Sequence, residues 1–258
     1  MRPNGFLHKI VFLALLTCSA PAFAEQELIF ILAGQSNMAG QGERSKLPAA
    51  YRRNPTNVSF YHNGYKTSLN HFAHFGPEIS FAHAISKRFP RHKIKLIKFA
   101  VGGTSMLAWS PNWSAQRANL TKNASAGPLF KKLMQTANAS YDAKTSRISG
   151  VLWLQGEADA KYPAVARQYM TNLRNFVVAL RRQLDNRPTQ FLVAGVNPPV
   201  KYFPASALVN RSQKQVVASL PNMRFINTAD LSKRADQLHY DTVGQLKLGR
   251  RFAKMVRP

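Results

Sequence analysis

The chain has 258 residues, 45% of them hydrophobic and 18% charged, a balance that supports a globular core and excludes a disordered chain. One cysteine, Cys18, excludes a disulfide framework and a Cys-ligated zinc site. The 36 Lys and Arg against 11 Asp and Glu give a net charge of +25, which attracts polyanions such as acidic polysaccharide, an anionic cell envelope or nucleic acid. The basic residues are spread along the chain with no nucleic-acid motif beside them, so no specific nucleic-acid partner is expected.

In chain order, Arg2 and Lys9, an apolar run at 10–16 and Ala22-Phe23-Ala24 form the three parts of a secretory signal peptide over 1–24. Cleavage there leaves one domain over 25–258 with charge +23, exported to a periplasm or the medium. No later run reaches the ~18 apolar residues of a membrane span. Apolar runs at 28–33, 150–154 and 191–196, an alternating run at 93–101 that ends apolar and a shorter candidate at 223–227 predict strands, the fully apolar ones suited to burial on both faces of a parallel sheet. Amphipathic stretches at 77–89, 129–141, 162–184, 205–220 and 243–256 predict helices. The longest keeps apolar residues on one helical face from Tyr162 to Leu184. Strand–helix alternation predicts a three-layer α/β/α fold with a mostly parallel central sheet.

Such sheets bind ligands beyond the carboxyl ends of their strands. There the sequence places Gly34-Gln35-Ser36-Asn37-Met38, Gly102-Gly103-Thr104-Ser105, Gln155-Gly156-Glu157 and, later, Asp236-Gln237-Leu238-His239. No G-x-S-x-G elbow, P-loop or H-E-x-x-H is present. His71 and His74 have no acidic neighbour before Glu78, so no metal site is expected. Ser36 directly follows a strand, which exposes its Oγ at the sheet edge; a plain helix N-cap serine is the other reading. Asp236 stands three residues before His239, a spacing that on a helical turn brings Cβ atoms to ~5–6 Å. The carboxylate would hold Nδ1–H and leave Nε2 for a substrate; an incidental surface turn is the other reading.

Gly34-Gln35-Ser36-Asn37-Met38-Ala39-Gly40 resembles the nucleophile block of the SGNH hydrolase superfamily, in its sialate O-acetylesterase-like branch that includes carbohydrate esterase family 6. Gly76-Pro77-Glu78, Val101-Gly102-Gly103-Thr104-Ser105, Trp153-Leu154-Gln155-Gly156-Glu157-Ala158-Asp159 and Asp236-Gln237-Leu238-His239 follow in that family's order. The resemblance implies a flavodoxin-like fold and removal of O-acetyl groups from sugars without a cofactor. It implies Ser36 as nucleophile, His239 as base and Asp236 as orienting acid, with Glu157 as the alternative acid. It places the oxyanion hole at the N–H groups of Ser36 and Gly103 (or Gly102) and at the Gln155 amide. Trp109 and Trp113, shortly after the glycine loop, are candidates for stacking on a sugar face.

The implied partner is an acetylated carbohydrate such as acetylated xylan, sialic acid or another acidic glycan, and the excess of positive charge suits an acidic one. Two other readings stay open: another acylhydrolase of lipase or thioesterase type, and a non-catalytic basic protein that binds glycan or envelope on the same scaffold.

Overall fold

The structure, a computed structural model, describes Met1 and residues 27–142, 146–184 and 189–257. The expected signal peptide and Cys18 lie outside the described residues.

Strands β1 (Leu28–Gly34), β3 (Val58–His62), β4 (Tyr65–Thr67), β6 (Ile94–Ala100), β7 (Ile148–Leu154), β8 (Gln190–Ala194) and β9 (Met223–Ile226) form one sheet in the order β4-β3-β6-β1-β7-β8-β9. Every pairing is parallel except β3 with β4. Two-residue strands β2 (Gly42–Glu43) and β5 (His74–Phe75) pair separately. Helices α2 (Glu78–Arg88) and α9 (Thr242–Met255) cover one face; α4 (Leu129–Asn138), α7 (Tyr169–Gln183) and α8 (Ser206–Ser219) cover the other.

The central strand shows why its sequence is a continuous apolar run. Ile29, Ile31 and Ala33 pack with α4, α7 and α8, while Phe30 and Leu32 pack with α2 and α9. Successive side chains alternate between faces, and here both faces are core. The stretch predicted as one helix over 162–184 is two: α6 (Pro163–Ala166), then α7 after a break at 167–168. The Gln168 N–H bonds back only three residues, to Val165 O at 2.9 Å. Burial resumes in phase at Tyr169, Leu173, Phe176 and Leu180, so the periodicity does not register the break.

Four short helices complete the fold: α1 (Ser36–Ala39), α3 (Ala115–Asn119), α5 (Glu157–Ala160) and α6. At the carboxyl edge β1 and β7 approach closely. A Cβ on Gly34, whose φ is +147°, would lie 2.0 Å from Leu154 O, so only glycine fits. The Gln35 N–H then donates to Leu154 O at 2.9 Å, which fixes the start of α1.

Candidate active site

A four-residue helix has no stability of its own, so α1 is held by its neighbours. The buried Lys98 Nζ donates to Ala39 O at 2.7 Å and pairs with the buried Glu78 carboxylate at 2.8 Å. Glu78 also accepts the Gly76 N–H at 2.9 Å. The Gly76-Pro77-Glu78 motif thus anchors the nucleophile turn from below. Gln245 Nε2 donates to Asn37 O at 3.1 Å and fastens the turn to α9.

Ser36 Oγ lies 3.1 Å from His239 Nε2, and His239 Nδ1 lies 2.7 Å from Asp236 Oδ2. Asp236 Oδ1 accepts the N–H groups of Leu238 and His239, each at 2.9 Å. Gln237 at φ 55° lies in the tight turn that brings Asp236 and His239 together. Burial of the Asp236 carboxyl is outweighed by the hydrogen bonds from the His239 backbone, the His239 ring and Leu238, which hold it below the usual carboxylate range. Asp236 therefore stays ionised beside the ring.

Glu157 does not contact His239 by hydrogen bond. It is buried; its Oε1 accepts Asn37 Nδ2 at 2.7 Å, and its Oε2 has no partner. Burial pushes its carboxyl up, against the opposing Asn37 bond. Asn37 also donates to Leu238 O at 3.2 Å and accepts the Tyr240 N–H at 2.9 Å. It therefore grips the chain on both sides of His239, and Glu157 is linked to that segment through it.

The N–H groups of Ser36, Gly102 and Gly103 have no acceptor among the described residues. A Cβ on Gly102 would lie 3.6 Å from that of Ser36, so the glycine loop flanks the nucleophile. The loop is fixed by its surroundings. Asn123 Nδ2 donates to Gly103 O at 3.1 Å and its Oδ1 accepts the Ser105 N–H at 2.8 Å. Asp159 accepts the Met106 N–H at 3.0 Å.

Gln155, expected as an oxyanion donor, is not one. It is fully buried, and its Nε2 is spent on Asp159 Oδ2 at 2.6 Å and Thr104 O at 2.9 Å. Gln35 lines the cavity beside Ser36. Its Oε1 is locked by the N–H groups of Gly156 and Ala158 at 3.2 and 3.3 Å, and its Nε2 has no acceptor among the described residues. Sequence reasoning passed over Gln35; its only signal is a polar residue between an apolar strand and the serine.

Trp109 and Trp113, expected as candidates for sugar stacking, do not line this cavity. Trp109 is fully buried, edge-on to Trp153 at 5.2 Å, with its Nε1 donating to Thr104 Oγ1 at 2.9 Å. Trp113 packs with Leu107, Ala118, Val165 and Tyr162. The aromatic walls of the cavity are Tyr162 and Phe203. The cavity measures about 370 Å³, with Ser36, His239 and Gly103 on one side and exposed Lys122 and Lys161 at its mouth. Among the described residues no group of three or more His, Cys, Asp or Glu is placed to hold a metal ion, and no helix is long and apolar enough to cross a membrane.

Burial pushes the Asp159 carboxyl up to about 7, against the hydrogen bonds from Gln155 and Met106. The folded chain thus holds this proton above the pH at which the unfolded chain releases it, and stability is lost as pH rises from about 4 through about 7. Thermal unfolding across that window is expected to show a falling Tm, less steep in Asp159→Asn.

Residues 26–257 match the family model described as carbohydrate esterase, sialic acid-specific acetylesterase. A probable carbohydrate esterase of Arabidopsis thaliana is 24% identical over 250 residues, covering 88% of each chain. Its crystal structure superposes with a TM-score of 0.72 at 23% identity, over 89% of this chain and 97% of that one. A carbohydrate acetylesterase from Xanthomonas citri gives 0.67 at 16% identity, over 89% of this chain and 55% of that one. NanS gives 0.63 at 14%, over 90% and 97%. Chains described as GDSL-like lipase and acetyl xylan esterase share the architecture, so the sheet and its helices have the SGNH hydrolase fold.

Proposed function

The chain belongs to the sialic acid-specific acetylesterase family of carbohydrate esterases, which makes it a carboxylic ester hydrolase, and we propose that it removes O-acetyl groups from an acidic carbohydrate through an acetyl-Ser36 intermediate. The observation that carries this reading is the hydrogen-bonded line Ser36–His239–Asp236 opening on a small cavity.

In the proposed reaction Ser36 Oγ attacks the acetyl carbonyl carbon and His239 Nε2 takes the hydroxyl proton. Asp236, ionised, holds the Nδ1–H tautomer and offsets the charge that forms on the ring. The Ser36 and Gly103 N–H groups receive the oxyanion, with Gly102 beside them and Gln35 Nε2 as the side-chain donor. The tetrahedral intermediate collapses, the C–O bond to the sugar breaks, and His239 returns the proton to the sugar oxygen. Water, deprotonated by His239, then attacks the carbonyl carbon of acetyl-Ser36; the bond from that carbon to Ser36 Oγ breaks, His239 returns the proton to Ser36 Oγ, and acetate leaves. Leu238, Phe203, Tyr162 and Ala158 wall the cavity and suit a methyl group. Lys122 and Lys161, exposed at its mouth, supply the positive charge that a sialic or uronic carboxylate would meet.

The test of acyl size is a series of nitrophenyl esters. The reading predicts that kcat/KM falls steadily from acetate to octanoate; a rise with chain length contradicts it and supports a lipase. The oxyanion assignment has its own test. Gln35→Glu keeps the anchored oxygen and replaces the donor by a negative oxygen, so kcat should fall by about 10²–10³-fold. Gln155→Met removes a buried support of Asp159 and should lower Tm by several degrees with a smaller loss of kcat. The opposite pattern would return the role to Gln155.

Export to a periplasm or the medium, proposed from the basic, apolar and Ala22-Phe23-Ala24 segments, predicts that N-terminal sequencing of secreted protein starts at Glu25.

A further inference from the structure

A second concavity, of about 700 Å³, runs along the flank of α7. Its lining carries Arg117, Arg174 and Arg182, with the amides of Asn112, Asn172 and Asn175 between them and no acidic residue among the described ones. All three arginines are exposed. The Arg174 guanidinium donates to Ser219 Oγ at 3.2 Å and that of Arg117 to Gln168 Oε1 at 3.4 Å, neither to a carboxylate, and the Arg182 side chain forms no ion pair or hydrogen bond among the described residues. The buried Nδ2 of Asn172 has no acceptor. The groove is thus rich in donors and positive charge, with a buried donor left open.

Its position ties it to the catalytic edge. There, at the start of α7, Tyr169 Oη donates to Gln155 O at 2.8 Å. Near the end of α7, Arg181 donates to Thr189 O, just before β8, at 3.1 Å. The groove therefore runs from the catalytic edge toward the opposite edge of the sheet, over roughly 15 Å of helix. Arg117 lies on α3, and the segment that follows α3 supplies Thr121, Lys122 and Asn123 to the catalytic cavity.

We propose that this groove binds the chain of an acidic polysaccharide outside the acetyl-bearing residue, so that the substrate is a polymer with regular carboxylates. Naming the ligand as carbohydrate rests on the esterase reading above; the groove's preference for a polyanion does not. Guanidinium groups match carboxylates in paired hydrogen bonds, and the interleaved amides match sugar hydroxyls. A single-stranded nucleic acid would need exposed rings for base stacking, and the one ring in the groove, Phe130, is 9% exposed.

The test uses the full wild-type chain and polygalacturonate without acetyl groups, which binds but is not turned over. Binding is expected to weaken at least tenfold in the triple variant Arg117→Ala/Arg174→Ala/Arg182→Ala, to weaken with added salt, and to exceed binding to neutral xylan. Hydrolysis of nitrophenyl acetate should be unchanged in that variant. The single variant Arg182→Glu, at an exposed position, should weaken binding in the same direction and serves if the triple variant folds poorly. Equal binding by wild type and both variants overturns the groove. Equally tight, arginine-dependent binding of a homopolymeric RNA or of anionic vesicles overturns the assignment to polysaccharide. Loss of nitrophenyl acetate hydrolysis in Ser36→Ala separates the two readings, because it tests the esterase without involving the groove.

Discussion

Ser36→Ala is expected to lower kcat on nitrophenyl acetate by about 10⁴–10⁶-fold, with folding unchanged by circular dichroism. The size follows from the arrangement. Ser36 Oγ stands 3.1 Å from His239 Nε2 at the cavity, and the N–H groups of Ser36 and Gly103, residues that line the same cavity, have no acceptor among the described residues. Removing the nucleophile leaves only donors that stabilise charge, and water must attack unaided. Alanine keeps the backbone of α1 and its N–H, so the oxyanion donors stay. A loss of less than tenfold would mean that another group attacks the ester.

Asp236→Asn is expected to cost about 10⁴-fold in kcat, the size seen when a triad acid becomes an amide and the imidazole is left in the wrong tautomer. The Asp236 carboxylate accepts from Nδ1 at 2.7 Å and from two backbone N–H groups. Asparagine keeps one accepting oxygen for the backbone but turns an amide NH₂ toward the ring. Glu157→Gln should cost less than about tenfold, because glutamine still accepts from Asn37 and the grip on Leu238 and Tyr240 survives. Parallel measurement of the two variants decides between the carboxylates. A large loss in Glu157→Gln with a small one in Asp236→Asn would transfer the acid's role.

Local signals made the sheet and the Asp236–His239 contact legible in the sequence. The apolar run of β1 reports burial on both faces, and the Asp236–His239 spacing reports contact across one tight turn. The Asn63-Gly64 pair between β3 and β4, with φ of 51° and 89°, is a hairpin turn signal that the five-strand reading passed over. Apart from the buried Phe60, the residues of β3 and of the edge strand β4 are half-buried or exposed, so these strands lack the apolar run that marks β1. Gln35 and Gln155 were indistinguishable as amide donors in sequence. Their roles depend on partners brought together by the fold: Gly156 and Ala158 lock Gln35 across some 120 positions, and Asp159 draws Gln155 away. Trp109 misled because a tryptophan after a glycine loop has the same sequence appearance whether it faces a sugar or, as here, Trp153 and Phe176 in the core.

The most direct test of the central claim is acetate release from an O-acetylated acidic sugar, sialic or uronic, by purified wild type beside Ser36→Ala. The account predicts acetate from wild type at a rate proportional to enzyme and none above background from the variant. Release that persists in Ser36→Ala, or a wild type that leaves acetyl sugars intact while cleaving long-chain esters, would contradict it.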